Sequence, residues 1–324
     1  MKKIRVITCY FGKLPDWMPL WLLSCERNPK IDFLVVTDQN YCDRVPRNVE
    51  FLNINFEQLK DRFQKNVDVK ISLNRSYKLC DYRPLYGKTF SSELQGYDFW
   101  GHCDLDMILG NLEQYLTDEI LGKYDRIGKF GAFTLYRNID SINELYKCKG
   151  ALFNWREVFT NPENYIFDEM PGMNMICKKN NIAWYKELPI IDLSPNMSRM
   201  GLRVSREEIF VWELGRVKHY YLENNCLKSN EAAYIHFSGK YPVNTISNNV
   251  IPERIVISSK KFSTYEKKIT EKEVKELTEY IGPSDDKAQV IKIKKKKIAD
   301  FMRQNTKEKI IRIKTLICVY FFMH

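Results

Sequence analysis

The sequence predicts an α/β fold, a mixed and mainly parallel sheet flanked by helices, followed by a basic, helical C-terminal extension. Three observations predict it. Strand-like and helix-like segments alternate through roughly the first 65 residues, and such alternation is the pattern of a parallel sheet with crossover helices. Ile31–Thr37, IDFLVVT, is a near-continuous apolar run of the kind a strand needs when both of its faces are covered. The formal charge of +10 is concentrated at the end: from Lys287 onward eleven Lys and Arg face only Asp300 and Glu308, so the body is nearly neutral. With 44% hydrophobic and 13% aromatic residues among 324, that body can pack a large core.

Lys3–Tyr10, KIRVITCY, is the first expected strand and ends at the Phe11-Gly12-Lys13 turn; a helix is expected around Trp17–Cys25. Ile31–Thr37 and Val49–Ile54 are the next strands, and a polar helix runs from Phe56 to about Lys65. In open α/β sheets ligands lie beyond the carboxyl ends of the strands. That rule selects Thr8, Tyr10 and Phe11 after the first strand and Asp38 after the second. Tyr10 or Phe11 would stack on a nucleobase and Asp38 would accept from a base or ribose; alternatively these residues only finish their strands. Neither GxGxxG nor GxxxxGK[ST] is present, which argues against a dinucleotide fold or a P-loop enzyme.

Tyr77–Phe90, YKLCDYRPLYGKTF, predicts a helix or helical turn with Lys78, Asp81 and Arg83 on a partly buried polar face. An Arg there can clamp a phosphate with Asp81 orienting it, or Asp81 and Arg83 can be a purely structural pair. Next comes Tyr97–Asn111, YDFWGHCDLDMILGN. On an extended chain Asp104 and Asp106 point the same way. Two carboxylates that close repel unless a cation lies between them, and their apolar, aromatic flanks would bury the pair. A solvated turn carrying two acids is the competing interpretation.

A short amphipathic helix is expected over Leu112–Leu121, a strand over Lys129–Tyr136 and a helix over Leu145–Phe159. Asp168 and Glu169 precede the Pro171-Gly172 turn, where they suit a base, a nucleophile or acceptor binding, or equally a helix N-cap. Ile209–Leu222 is expected to be a hairpin turning near Gly215. Ala232–Tyr241, AAYIHFSGKY, is expected to be a strand leading into a loop with Gly239 and Lys240. His236 in that strand is a candidate third metal ligand or an ordinary core histidine.

Beyond Ser258 the composition changes. Tyr265–Ile281 is expected to be a charged helix with Thr270 and Glu273 as a capping box, and the last 38 residues mix a Lys run with isoleucines before ending in LICVYFFM. A basic segment beside an apolar one suits the surface of an anionic bilayer; with no basic face on the body, nucleic acid is not an expected partner. No segment reaches the ~18 apolar residues a membrane span needs. Nine cysteines are scattered singly, without CxxC and without a secretory signal ahead of them, as expected of free thiols in the cytoplasm.

YDFWGHCDLDMILGN resembles the DxD segment of GT-A nucleotide-sugar glycosyltransferases. HFSGK resembles the C-terminal His-x-x-Gly element of glycogenin-like and bacterial galactosyltransferase-like members, with the usual Gly-x-x-Lys spacing shortened at Lys240. Together with CYFGKLPDW, KLCDYRPLYG and FDEMPGMN, the set over residues 3–240 is similar to bacterial glycosyltransferases of capsular and exopolysaccharide synthesis. The resemblance implies a GT-A (Rossmann-like) catalytic domain over 1–257, with a nucleotide-sugar half about 1–111 and an acceptor half about 112–257, and a membrane-associating extension over 258–324. It implies Mn²⁺ or Mg²⁺ on Asp104, Asp106 and His236, and a nucleoside-diphosphate sugar, UDP by expectation, as donor. Thr8, Tyr10, Phe11, Asp38, Lys78, Asp81, Arg83, Asp104, Leu105, Gly239 and Lys240 would contact that donor. Asp168 or Glu169 would face the anomeric carbon in a retaining hexosyltransferase or deprotonate the acceptor in an inverting one. The acceptor would be a lipid-linked glycan at the inner face of the plasma membrane. Two other classes stand beside this one. DLDMIL is similar to the DxDx[TV] signature of haloacid-dehalogenase-like phosphatases, although that motif normally follows the first strand, and a non-catalytic membrane-bound nucleotide-sugar binding module would carry the same residues.

Overall fold

The computed structural model describes residues 2–193, 207–237, 243–244, 253–257, 261–278 and 303–323. Strands β1 (Ile4–Cys9), β2 (Ile31–Thr37), β3 (Val49–Asn53) and β4 (Phe99–Cys103) form a parallel run in which β1 is flanked by β2 and β4. β5 (Met107–Leu109) leaves that run, and β6 (Arg126–Phe130) and β7 (Phe133–Arg137) return to it as an antiparallel pair beside β4. With β8 (Trp184–Tyr185) the central sheet has the order β3-β2-β1-β4-β7-β6-β8.

The apolar run of β2 is buried on both faces, and the register shows how. Val6, Phe33 and Val35 pack with Trp21 and Leu22 of the helix Met18–Glu26 on one face. Ile7, Leu34 and Val36 pack with Leu59 and Phe63 of the helix Phe56–Gln64, and with Tyr82 and Tyr86, on the other. Alternate side chains of one strand thus feed two separate cores.

Eight further strands follow: β9 (Ile190–Asp192), β10 (Glu208–Glu213), β11 (Arg216–Glu223), β12 (Cys226–Ala232), β13 (Tyr234–His236), β14 (Val243–Asn244), β15 (Arg254–Ile257) and β16 (Lys261–Thr264). β13 lies between β5 and β9 in a three-stranded sheet, and the others form a six-stranded sheet in the order β12-β11-β10-β15-β16-β14. The hairpin turning at Gly215 is β10–β11. β12 has a polar sequence, CLKSNEA, and is held by its backbone ladder to β11 rather than by an apolar stripe.

Several expected elements are divided. Lys129–Tyr136 is two strands rather than one, because the chain reverses at Gly131-Ala132 inside an otherwise apolar run. The expected helix Leu145–Phe159 is a single 3-10 turn at Leu145–Lys147 and a separate helix Trp155–Thr160. Gly150 breaks it at φ 149°, and Asn154 starts the second piece by accepting from the Arg156 N–H. Leu112–Leu121 likewise separates into a 3-10 turn and a helix Asp118–Lys123 capped by Thr117. Tyr77–Phe90 is a chain of short α and 3-10 turns. The charged helix near the end is only Glu271–Leu277, and the Thr270 hydroxyl donates to the Glu273 carboxylate instead of capping the backbone. A helix Thr306–Met323 closes the described chain. Among the described residues no helix is long and apolar enough to cross a membrane.

Candidate active site

The link between β4 and β5 carries the DLD sequence. It is a bend rather than extended chain, so period-two alternation is not what brings its carboxylates together. Two indole N–H groups fix its backbone: Trp17 Nε1 donates to the Leu105 carbonyl at 2.7 Å and Trp21 Nε1 to that of Asp104 at 3.3 Å. Leu105 buries its side chain in the core below, so only its backbone faces outward.

Strand register supplies the rest. β13 pairs antiparallel with β5, placing His236 opposite Met107, and parallel with β9, placing it opposite Asp192. His236 Nε2 lies 3.3 Å from Asp106 Oδ1 and 3.8 Å from Asp104 Oδ2, while Nδ1 lies 3.0 Å from Asp192 Oδ2. One ligand atom from each of Asp104, Asp106 and His236 falls within 4.8 Å of the others. Two carboxylate oxygens and an imidazole nitrogen are a donor set suited to a hard or borderline divalent cation. Burial pulls the His236 pKa down, but the hydrogen bonds to Asp106 and Asp192 and the nearby carboxylate charges outweigh it and push it up to about 10. Without a cation, the imidazolium is thus the counter-charge between the acids. Asp192 was not among the residues the sequence suggested, since IIDLS carries no motif and its role follows only from the β9–β13 register.

Arg83 joins this cluster to a second one. Its guanidinium pairs with Asp104 through one nitrogen; the other donates to Asp168 Oδ2 at 2.8 Å and to the Gly131 carbonyl at 2.9 Å. Burial raises the Asp168 pKa to about 7, with Arg83 offsetting part of the rise. Burial also raises that of Glu169, against the Gly131 N–H that it accepts. Gly131 is required by contact: a Cβ there would lie 2.4 Å from Asp168 Oδ2 and 2.7 Å from Glu169 Oε1. The pair does not cap the following helix, whose N-cap is Gly172.

Asp104, Asp106, His236, Arg83, Asp168 and Glu169 line one cleft of about 1000 Å³, bordered also by Tyr10, Phe11, Tyr77 and Ile166. It opens beyond the carboxyl ends of β1 and β4, as the topology rule requires. Phe11 is partly committed to an edge contact with Phe56. Thr8 also reaches the cleft wall but is buried, its hydroxyl donating to the Cys103 carbonyl at 2.9 Å.

Three candidates lie elsewhere. Asp38 is exposed, is not part of the cleft lining, and accepts from the Gly12 N–H at 3.0 Å. Lys78 and Asp81 are fully buried, 2.7 Å apart. Lys78 also donates to the Val158 carbonyl, and Asp81 accepts from the backbone N–H groups of Tyr165 and Phe167. Neither is available to a phosphate, and Asp81 orients the loop before Asp168 rather than Arg83. Gly239 and Lys240 lie outside the described residues.

What the fold and site define is an α/β protein with a charged, cation-competent cleft at the ends of its parallel strands. Residues 6–266 match the family of unknown function DUF6625, and the chain belongs to that family. No curated protein matches the sequence. Among solved structures, it is similar to the galactosyltransferase LgtC in complex with donor and acceptor sugar analogs, at 9% identity and a TM-score of 0.38. That match covers 72% of this chain and 87% of the other. An active-site mutant of LgtC gives 11% identity and a TM-score of 0.40 over the same shares.

Proposed function

We propose that this protein is a metal-dependent glycosyltransferase that moves a sugar from a nucleoside-diphosphate donor to a glycan acceptor. The observation that carries this is the convergence of Asp104, Asp106 and His236 in the same cleft as Arg83, Asp168 and Glu169. Asp104, Asp106 and His236 would hold Mn²⁺ or Mg²⁺, with Asp192 fixing the imidazole so that Nε2 faces the ligand position. When bound, such a cation neutralises negative charge on a departing diphosphate. Arg83 keeps a permanent positive charge between the two acid groups. Tyr10 and Phe11 offer aromatic faces to the nucleoside.

Asp168 and Glu169 are the carboxylates placed to act on the sugar or the acceptor. Asp168, held by Arg83 and poised near neutrality, suits proton abstraction from an acceptor hydroxyl or attack at the anomeric carbon. In the same proposal the donor is a UDP-hexose and the acceptor a lipid-linked glycan of bacterial surface polysaccharide. The enzyme then works peripherally on the cytoplasmic face of the plasma membrane, a location supported by its basic and apolar C-terminal sequence.

The test is calorimetric titration with UDP in the presence and absence of Mn²⁺. Binding only with metal, lost in Asp106→Asn, is the expected result. Equal binding without metal overturns the proposal, and metal-dependent binding with no sugar transfer or donor hydrolysis would leave a binding module instead of an enzyme.

A further inference from the structure

Among the described residues the helix Thr306–Met323 is docked along one side and exposed along the other. Gln304 before it and Glu308, Ile311, Arg312, Thr315 and Leu316 within it line the cleft. Ile311 is 5% exposed and belongs to the main core cluster. Asn305 Nδ2 donates to Glu163 Oε1 at 2.7 Å and Cys318 Sγ lies 3.3 Å from Met175 Sδ, so this side is docked along its length. At about 100° per residue, positions 310, 313 and 317 share the opposite side. Ile310, Ile313 and Ile317 are 47%, 46% and 52% exposed there, while Leu316 lies at the boundary between this side and the cleft.

Apolar side chains exposed side by side along one helix face mark an interaction surface. Its chemistry is specified by its flanks. Lys307, Lys309 and Lys314 flank it, whereas the acid Glu308 and Arg312 face the cleft. Apolar side chains at the centre with lysines to either side match the boundary between acyl chains and anionic headgroups, where the stripe enters and the lysine stems reach back to phosphate. An acidic protein groove would satisfy the lysines but has no need of three large aliphatics standing out between them.

We propose that this helix is a shared wall: its inner side completes the catalytic cleft while its outer side rests on an anionic bilayer, so that the cleft opens at the membrane surface. The choice of a membrane-anchored acceptor rests on the transferase function proposed above; the bilayer contact does not.

The experiment uses the full chain and sedimentation with vesicles of phosphatidylcholine alone or mixed with phosphatidylglycerol. Wild type is expected to bind the anionic vesicles at least tenfold more tightly than the neutral ones. Ile313→Ser/Ile317→Ser and Lys309→Glu/Lys314→Glu are each expected to lower that binding about tenfold, with circular dichroism unchanged. Equal binding to both vesicle types, no binding, or wild-type binding by the serine pair overturns the proposal. Photo-crosslinking then tests the two sides together. Benzoylphenylalanine in place of Ile317 should label phospholipid, and in place of Thr315 should crosslink within the chain. Lipid labelling from both positions would mean that the helix leaves the cleft, which removes the shared wall. UDP and Mn²⁺ titration of the serine pair separates the outcomes: vesicle binding can succeed where nucleotide binding fails, and the reverse.

Discussion

Lys78–Asp81 and Asp104–Asp106–His236 are charged clusters built from the same kinds of residue, and the fold treats them in opposite ways. In the first, both side chains are sealed from solvent, and the charges and carbonyls around them use up the hydrogen-bonding capacity of the pair. In the second, two carboxylates and a histidine remain 15–24% exposed at a cleft, with the imidazolium itself and one shared guanidinium as counter-charge to the acids. A closed pair can only hold structure; an under-compensated open group can accept a cation. The two are linked, because Asp81 anchors the Tyr165 and Phe167 amides that position Asp168.

The largest effect should come from the open cluster. Asp106→Asn removes a ligand and is expected to abolish metal-dependent UDP binding in calorimetry, while thermal unfolding shifts little because the amide keeps the size of a partly exposed side chain. Metal-dependent binding that survived would collapse the distinction drawn between the clusters. The closed cluster should behave inversely. Asp81→Ala leaves Lys78 charged and buried, a loss on the order of 3–5 kcal/mol, measured by urea unfolding. The fraction that stays folded should bind Mn²⁺ normally if the cluster is only structural.

This contrast was not legible in the sequence. Lys78, Asp81 and Arg83 are neighbours in one helical stretch, and spacing alone gives all three the same polar face. Burial separates them: Lys78 and Asp81 turn toward the Val158–Phe167 segment and Arg83 toward the cleft. The parallel strands were legible because their apolar runs are long and uninterrupted, as in Ile31–Thr37. The Gly131 reversal was not, because FGAF contains no polar turn residue, and its glycine is required by the approach of Asp168 and Glu169 from elsewhere in the chain. In the sequence His236 is equally a third metal ligand or a core histidine, and the β5–β13 ladder is what brings it to the two aspartates. Asp192 needed the structure, since its partner is 44 residues away.

Asp192 sharpens the comparison on a finer scale. It touches no expected ligand position, so Asp192→Asn should leave the fold intact and lower Mn²⁺ affinity about 10–100-fold, the usual range for a group that orients a metal-binding histidine. Electron paramagnetic resonance of free Mn²⁺ measures it. A merely structural Asp192 would lower the unfolding midpoint and leave the affinity of the folded protein unchanged.

The smallest effect follows from the proton on His236. With its pKa raised to about 10, the ring carries a proton on both nitrogens at neutral pH. The nitrogen that faces Asp106 must lose its proton before it can act as a ligand, and Asp192 retains the other. Metal binding therefore releases a proton, and rising pH favours it. Between pH 6.5 and 7.5, Mn²⁺ affinity should increase about tenfold, the limit for one proton released, and titrations in buffers of different ionisation enthalpy should report that proton directly. The Lys78–Asp81 pair contributes nothing to this slope, so Lys78→Met should leave it unchanged. A pH-independent affinity would mean that His236 stays protonated and that the cation is held by the aspartates alone.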